Sequence, residues 1–285
     1  MDTKWQSKTL THGIHALVAG KGSPVVLLPG WPETAEAYAE IIPILSQHHE
    51  VWTLDPPGLG DSAPSTSGYD TQNISRILQE AVSGVISIPY HLVGHDVGAW
   101  IAYAWAAEFP ASLKSLTVLD SAIPGSMSVL PFPMPYETNL KLWQFSFNRL
   151  PELPEILTKG KERELLNWLF ESKAVHPERI TKAKRDRYVE CYSTPGAMSN
   201  GFAYYRVLET SAEQNKMLSE KKLNMPVFAL GGQGGTGKNL LVSMKKMADH
   251  VEGGEIESCG HYVMEEQPEE VARRLLDFFH GVESG

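Results

Sequence analysis

The stretch Leu92-Val93-Gly94-His95-Asp96-Val97-Gly98-Ala99-Trp100 runs from a buried apolar strand pattern, through a Gly-x-Asp-x-Gly turn, into a helical pattern. A strand–turn–helix of this spacing holds its central residue at the C-terminal edge of a sheet, above a helix N-terminus that favours an anion. Such elbows ordinarily carry serine; this one carries Asp96. The exchange changes the reaction. A carboxylate is a poor nucleophile at acyl carbon but a competent one at saturated carbon with a good leaving group. The product would be an alkyl ester of Asp96, whose hydrolysis requires water, a base and an oxyanion site.

The expected base is His261, in Cys259-Gly260-His261-Tyr262, between the last strand pattern and the last helical pattern. An isolated loop histidine is usually structural; the elbow upstream makes this one a candidate, since elbow enzymes place their histidine last in chain order. Its orienting acid should come from a strand end. The loop Gly231–Gly237 has no carboxylate, so Asp120 is assigned that role. The oxyanion site should be two backbone N–H groups, those of Val97 and Trp31, because Pro29 has none. His95 is expected to pack or hydrogen-bond beneath the nucleophile.

Two other strings are weighed and set aside. Gly232-Gln233-Gly234-Gly235-Thr236-Gly237-Lys238-Asn239 nearly spells a phosphate-binding loop, but Asn239 stands where a Ser or Thr should hold magnesium. Glu265-Glu266 and Glu269-Glu270 read as the solvated start of a helix rather than a metal cluster. Cys191 and Cys259 are the two cysteines, too few for a disulfide framework, and they form no Cys-x-x-Cys pair.

The elements that position these residues alternate. Strands are expected at 24–28, 51–54, 90–93, 116–119, 227–230 and, more weakly, 255–257. Helices are expected at 35–48, 71–87, 97–108, 238–250 and 267–281. This order implies an α/β fold with a mostly parallel sheet and helices on both faces. The alternation stops between Ile123 and Asn224, which opens with Pro124, Pro131, Pro133 and Pro135 and continues as aromatic-rich helical patterns. The expected organisation is a core of residues 1–122 and 225–285 with a helical cap, 123–224, inserted between them.

With 285 residues, 42% hydrophobic and 21% charged, the chain has an ordinary globular composition and length for one large core. A net charge of −9 argues against nucleic acid as a partner. No apolar run suggests a membrane span, and Met1–Trp5 lacks the apolar stretch of a secretory leader; with Met1 as the start, a cytoplasmic location is expected.

Elbow, late histidine, strand-end acid and cap together resemble the α/β-hydrolase superfamily. The Gly-His-Asp-x-Gly elbow is similar to that of its epoxide hydrolase and haloalkanoate dehalogenase branch. Cap and tail look most like the Cif-type epoxide hydrolases, at Leu142–Phe147, Gly160–Arg163, Phe202–Arg206 and Gly231–Gly235. The resemblance implies a cavity between cap and core, no cofactor, no metal, and relatives that are often homodimers. It also implies a cap pair that holds and protonates the epoxide oxygen. The tyrosine of that pair maps onto Tyr205, with Tyr204 next in line. Its histidine maps onto Gln144, which donates a hydrogen bond but supplies no proton. A second departure is Pro29 in place of the usual histidine of the His-Gly-x-Pro loop.

Fluoroacetate dehalogenases of this branch place arginines where this chain has Val97 and Trp100, and a His-Trp pair where it has Gln144-Phe145. Small haloacids are therefore disfavoured, and an uncharged, apolar epoxide against Trp100, Trp143 and Phe145 is expected. The resulting expectation is a cofactor-independent hydrolase that opens an epoxide to a vicinal diol through an Asp96 ester. The rivals are a dehalogenase or other hydrolase with the same triad, and a non-catalytic binding protein or cyclase on this scaffold.

Overall fold

A computed structural model of the chain describes residues 5–126 and 133–285; Met1–Lys4 of the N-terminal segment and Pro131 of the proline-rich passage lie outside the described residues. Eight strands form one sheet in the order β1-β2-β4-β3-β5-β6-β7-β8: β1 Gln6–Thr9, β2 His15–Gly20, β3 Ser23–Leu28, β4 His49–Leu54, β5 Tyr90–His95, β6 Leu113–Leu119, β7 Val227–Gly232 and β8 Val251–Ile256. β3 to β8 pair in parallel, while β1 and β2 form an antiparallel edge.

The apolar runs explain why the sheet is covered twice. Along β3, Val26 and Leu28 enter one core while Val25 and Leu27 enter the other. Leu92 and Val93 divide the same way in β5. A strand buried on both faces needs consecutive apolar residues rather than alternation. Helices Thr71–Ser83 and Val97–Glu108 contribute to the first core, and Pro268–Ser284 to the second. Helix Val97–Glu108 is buried from Val97 to Ala106, as expected of a helix wrapped on all sides.

Between β6 and β7 the described chain is helical: Tyr136–Phe147, Leu153–Thr158, Glu162–Lys173, Lys182–Tyr192, Ala197–Arg206 and Leu208–Leu218, with no strand among the described residues. The expected helix 35–48 is instead a short turn, Ala35–Tyr38, followed by a one-turn helix, Ile42–Leu45. Pro43 lacks the N–H that a continuous helix would need at that point. The β1–β2 hairpin was not expected. β1 is exposed throughout and polar in sequence, so it shows no hydrophobic alternation. β8 begins earlier than expected, and its two glycines remove the apolar signature.

Candidate active site

Asp96 follows β5 directly and has φ 48° and ψ −119°, a left-handed conformation costly for a residue with a Cβ. The turn is held tight by close approach. A Cβ on Gly98 would stand 2.4 Å from the carbonyl oxygen of Leu28. The backbone N–H of Trp31 donates to Asp96 Oδ1 at 3.1 Å. Val97 follows immediately and opens the helix.

His261 lies between two carboxylates. Its Nδ1 is 2.8 Å from Asp120 Oδ2, and its Nε2 is 3.4 Å from Asp96 Oδ2. The other oxygen of Asp120 accepts from the backbone N–H groups of Gly232 and Thr236 and from the Thr236 hydroxyl, each at 2.8 Å. The glycine-rich string that imitates a phosphate loop is thus a cradle for Asp120. A Cβ on Gly235 would fall 2.2 Å from Asp120 Oδ2.

Burial favours neutral forms here, but the neighbours oppose it. Desolvation pulls His261 down, and the bonds to Asp120 and Asp96 outweigh it, holding the imidazole at about 9. Burial likewise pushes Asp96 up, and His261 outweighs that, holding the carboxyl at about 2. The resting pair is therefore an imidazolium beside a carboxylate. His95 sits beneath, its Nδ1 2.8 Å from Glu33 Oε2 and its Nε2 2.9 Å from the His261 carbonyl.

A cavity of about 140 Å³ opens over Asp96 and His261, lined also by Asp120, Ser121, Leu142, Phe145, Lys141 and Lys173. Tyr205 is buried, its ring 5.6 Å from that of Trp31, 5.6 Å from Trp100 and 5.5 Å from Phe145 between centroids. Burial, then the nearby Asp96 charge, holds its hydroxyl well above the ordinary value, so it remains a proton donor.

Other expected positions fall differently. Tyr204 is turned away: its hydroxyl donates to the Pro57 carbonyl at 2.8 Å and its ring packs on Tyr69. Residues 204 and 205 are adjacent on a helix, about 100° apart around its axis, so their rings enter different surroundings; neither is among the residues that line the cavity. Trp143 packs against Phe147 and Trp168 rather than lining the cavity. Trp100 lies behind Phe145 and Tyr205 and donates its indole N–H to Ser121. The Gln144 amide is bonded at both ends. Its NH2 donates to the Lys141 carbonyl at 3.1 Å, and its oxygen accepts from the Lys173 ammonium, in the orientation that satisfies both partners.

The sequence reading also missed two structural features. Glu265 and Glu266 are buried, not solvated. Glu266 accepts backbone N–H groups from Gly260, Tyr262, Val175 and His176. Glu265 pairs with Lys184 at 2.6 Å and accepts from the Tyr188 hydroxyl. Lys173, the last residue of Glu162–Lys173, brings a cation to the cavity wall; on sequence alone it reads as an ordinary charged helix terminus.

A model of the alpha/beta hydrolase family matches residues 25–274. The chain belongs to this family. Cfl2 of Burkholderia cenocepacia, a solved structure, superposes on this hydrolase with a TM-score of 0.91 at 35% identity, covering 96% of this chain and 95% of the other. The Cif epoxide hydrolase of Acinetobacter nosocomialis gives a TM-score of 0.87 at 25% identity, over 98% and 90% of the two chains. A soluble epoxide hydrolase of Corynebacterium sp. strain C12 is 29% identical over 279 residues, 97% of each chain. No helix among the described residues of the hydrolase is long and apolar enough to cross a membrane.

Proposed function

We propose that the protein opens an epoxide to a vicinal diol, with Asp96 as nucleophile and His261 as base. The observation that carries this reading is the division of labour between the Asp96 oxygens. Oδ1 takes the Trp31 N–H, while Oδ2 lies toward His261. An ester formed through Oδ2 would leave Oδ1 as a carbonyl already held by an oxyanion donor. The similarity to a soluble epoxide hydrolase along nearly the whole chain supports the choice of electrophile.

In the first half-reaction an Asp96 oxygen attacks an epoxide carbon, the C–O bond breaks, and the oxygen takes a proton from the cap. Tyr205, buried near enough to Asp96 for the carboxylate charge to act on its hydroxyl, is the acid we assign to this step. Ester formation removes the Asp96 charge. One of the two carboxylates that keep His261 protonated then disappears, its pKa falls, and the imidazole becomes a base at the moment one is needed. It takes a proton from water, hydroxide attacks the ester carbonyl, and the Trp31 and Val97 N–H groups hold the oxyanion. No cofactor takes part in this scheme. The substrate is a small-molecule epoxide whose apolar part rests on Leu142 and Phe145.

Intact-protein mass of His261→Gln after mixing with a panel of epoxides and haloalkanoates tests the reading. A gain equal to a whole epoxide, mapped to the Asp96 peptide, is expected. A gain equal to an alkanoate less its halide would replace the reading with a dehalogenase. Absence of any adduct on a folded variant would remove it.

A further inference from the structure

Resting on the epoxide-opening reading, we propose that Lys173 is the second proton donor of this site, delivering an ammonium proton to the epoxide oxygen beside Tyr205, with Gln144 as the residue that aims it. The position onto which the resemblance maps a cap histidine holds Gln144, and the structure shows where its amide is bonded. Its NH2 group donates to the Lys141 carbonyl, and its oxygen is turned to Lys173. A carboxamide cannot give up a proton; an ammonium held by that carboxamide can.

The setting of Lys173 fits an acid better than a fixed counter-ion. Lys173 lines the cavity together with Asp96, Asp120, His261 and Lys141, and the Glu33 carboxylate is near enough to act on its ammonium. Burial lowers Lys173 to about 8, against the upward pull of Asp96, then Asp120, then Glu33. In the resting site Asp96 and Asp120 are balanced by His261 and Lys173. Alkylation removes the Asp96 charge and creates an alkoxide in the same cavity. A fixed cation would leave that alkoxide as strong base next to an ammonium. Transfer of the proton from Nζ instead leaves a neutral alcohol and a neutral amine, with Asp120 and His261 still paired. Loss of the Asp96 charge also removes the largest force keeping Lys173 protonated, so the step that needs the acid strengthens it.

The cycle balances. The epoxide C–O bond breaks, the Asp96 O–C bond forms, and the oxygen gains the Lys173 proton. Water then gives one proton through His261 to the departing diol oxygen. Its other proton is left on the regenerated Asp96 carboxyl and passes to the Lys173 amine; His261, which gives its resting proton to solvent once Asp96 is esterified, takes one back when the Asp96 carboxylate returns, and the starting state is restored.

The experiment uses the His261→Gln background, where the ester accumulates, and follows its formation by rapid-quench intact mass with styrene oxide and 1,2-epoxyhexane. Adding Lys173→Met is expected to slow alkylation about 10²-fold, the ordinary scale for loss of a general acid. Lys173→Arg keeps the charge but holds its proton too tightly to donate, so it is expected to be as slow as Met. Rescue by Arg, or no loss with Met, overturns the proposal in favour of a charge-balancing role. A second readout needs no change at Lys173: alkylation in His261→Gln should fall as pH rises past the lysine's titration, and a rate flat to pH ~10 overturns it. A folded His261→Gln protein that takes up no epoxide overturns the parent reading, and this proposal with it.

Discussion

The backbone N–H of His261 donates to the carbonyl oxygen of Lys173 at 3.1 Å. The residue proposed as base and the cation at the end of a cap helix are therefore fixed to one another through main chain, independently of their side chains. A side-chain exchange at either position leaves that bond in place, which makes the site open to clean substitution.

Asp120→Asn should leave the fold intact and cripple the second half-reaction. The asparagine can still accept from Gly232 and Thr236, but it presents no charge to His261 Nδ1. By analogy with other triads the loss of turnover is about 10⁴-fold. Steady-state kinetics and adduct mass check this together, since the ester should persist. A variant with more than a tenth of the parent rate would argue for another acid.

The two half-reactions should depend on pH in different ways. Asp96 is held at about 2, so alkylation should show no loss from nucleophile protonation down to pH ~4. Hydrolysis of the ester requires neutral His261, and its rate should fall as pH drops through the imidazole's value in the ester. That value lies below the resting value of about 9, because the Asp96 charge is gone. Single-turnover measurements separate the halves; an ester-hydrolysis rate that stays flat from pH 8 to 5 would rule out His261 as the base.

Tyr205→Phe removes a hydroxyl that burial and the Asp96 charge keep protonated. Alkylation should slow by about 10²-fold while hydrolysis of a preformed ester changes little. Equal loss in both steps would indicate a packing defect among Trp31, Trp100 and Phe145 instead.

Gly98→Ala tests the elbow. The added methyl would lie 2.4 Å from the Leu28 carbonyl, a backbone atom that cannot swing away. A destabilisation of about 1–3 kcal/mol is expected from overpacking, read as a lower urea midpoint.

Stability should fall from acid to neutral pH because of Glu265. Burial raises its carboxyl to about 7 despite Lys184 and Tyr188. A folded-state value above the unfolded one favours the folded chain below pH ~4.5, and that advantage is lost as pH rises through 7. Melting temperature should drop by a few degrees between pH 5 and 8. Glu265→Gln should flatten the drop, and an unchanged pH slope in that variant would assign it to other groups.

The meeting of Asp96, His261 and Asp120 was legible because each follows a strand, and parallel strands end on one edge; three distant loops then meet without any knowledge of packing. Trp31 was legible by the same logic, with Pro29 eliminated for want of an N–H. Tyr204, Trp143 and Gln144 were less so, because on a cap helix the facing side depends on how helices rotate against one another, which no strand fixes. Lys173 carries no local signal at all: a lysine closing a helix complements its dipole wherever it occurs. Glu265 and Glu266 show the converse, acidic residues that look solvated until four backbone donors and a lysine are found folded onto them.

Glu266 joins two segments that chemistry and traffic would treat differently. Its carboxylate grips Gly260 and Tyr262 on either side of the base, and also Val175 and His176 just beyond the cap helix. Val175 and His176 are thereby held to the same carboxylate as the loop whose His261 meets Asp120. One buried carboxylate thus ties the loop that carries His261 to the segment that follows helix Glu162–Lys173, so a displacement of either is passed to the other.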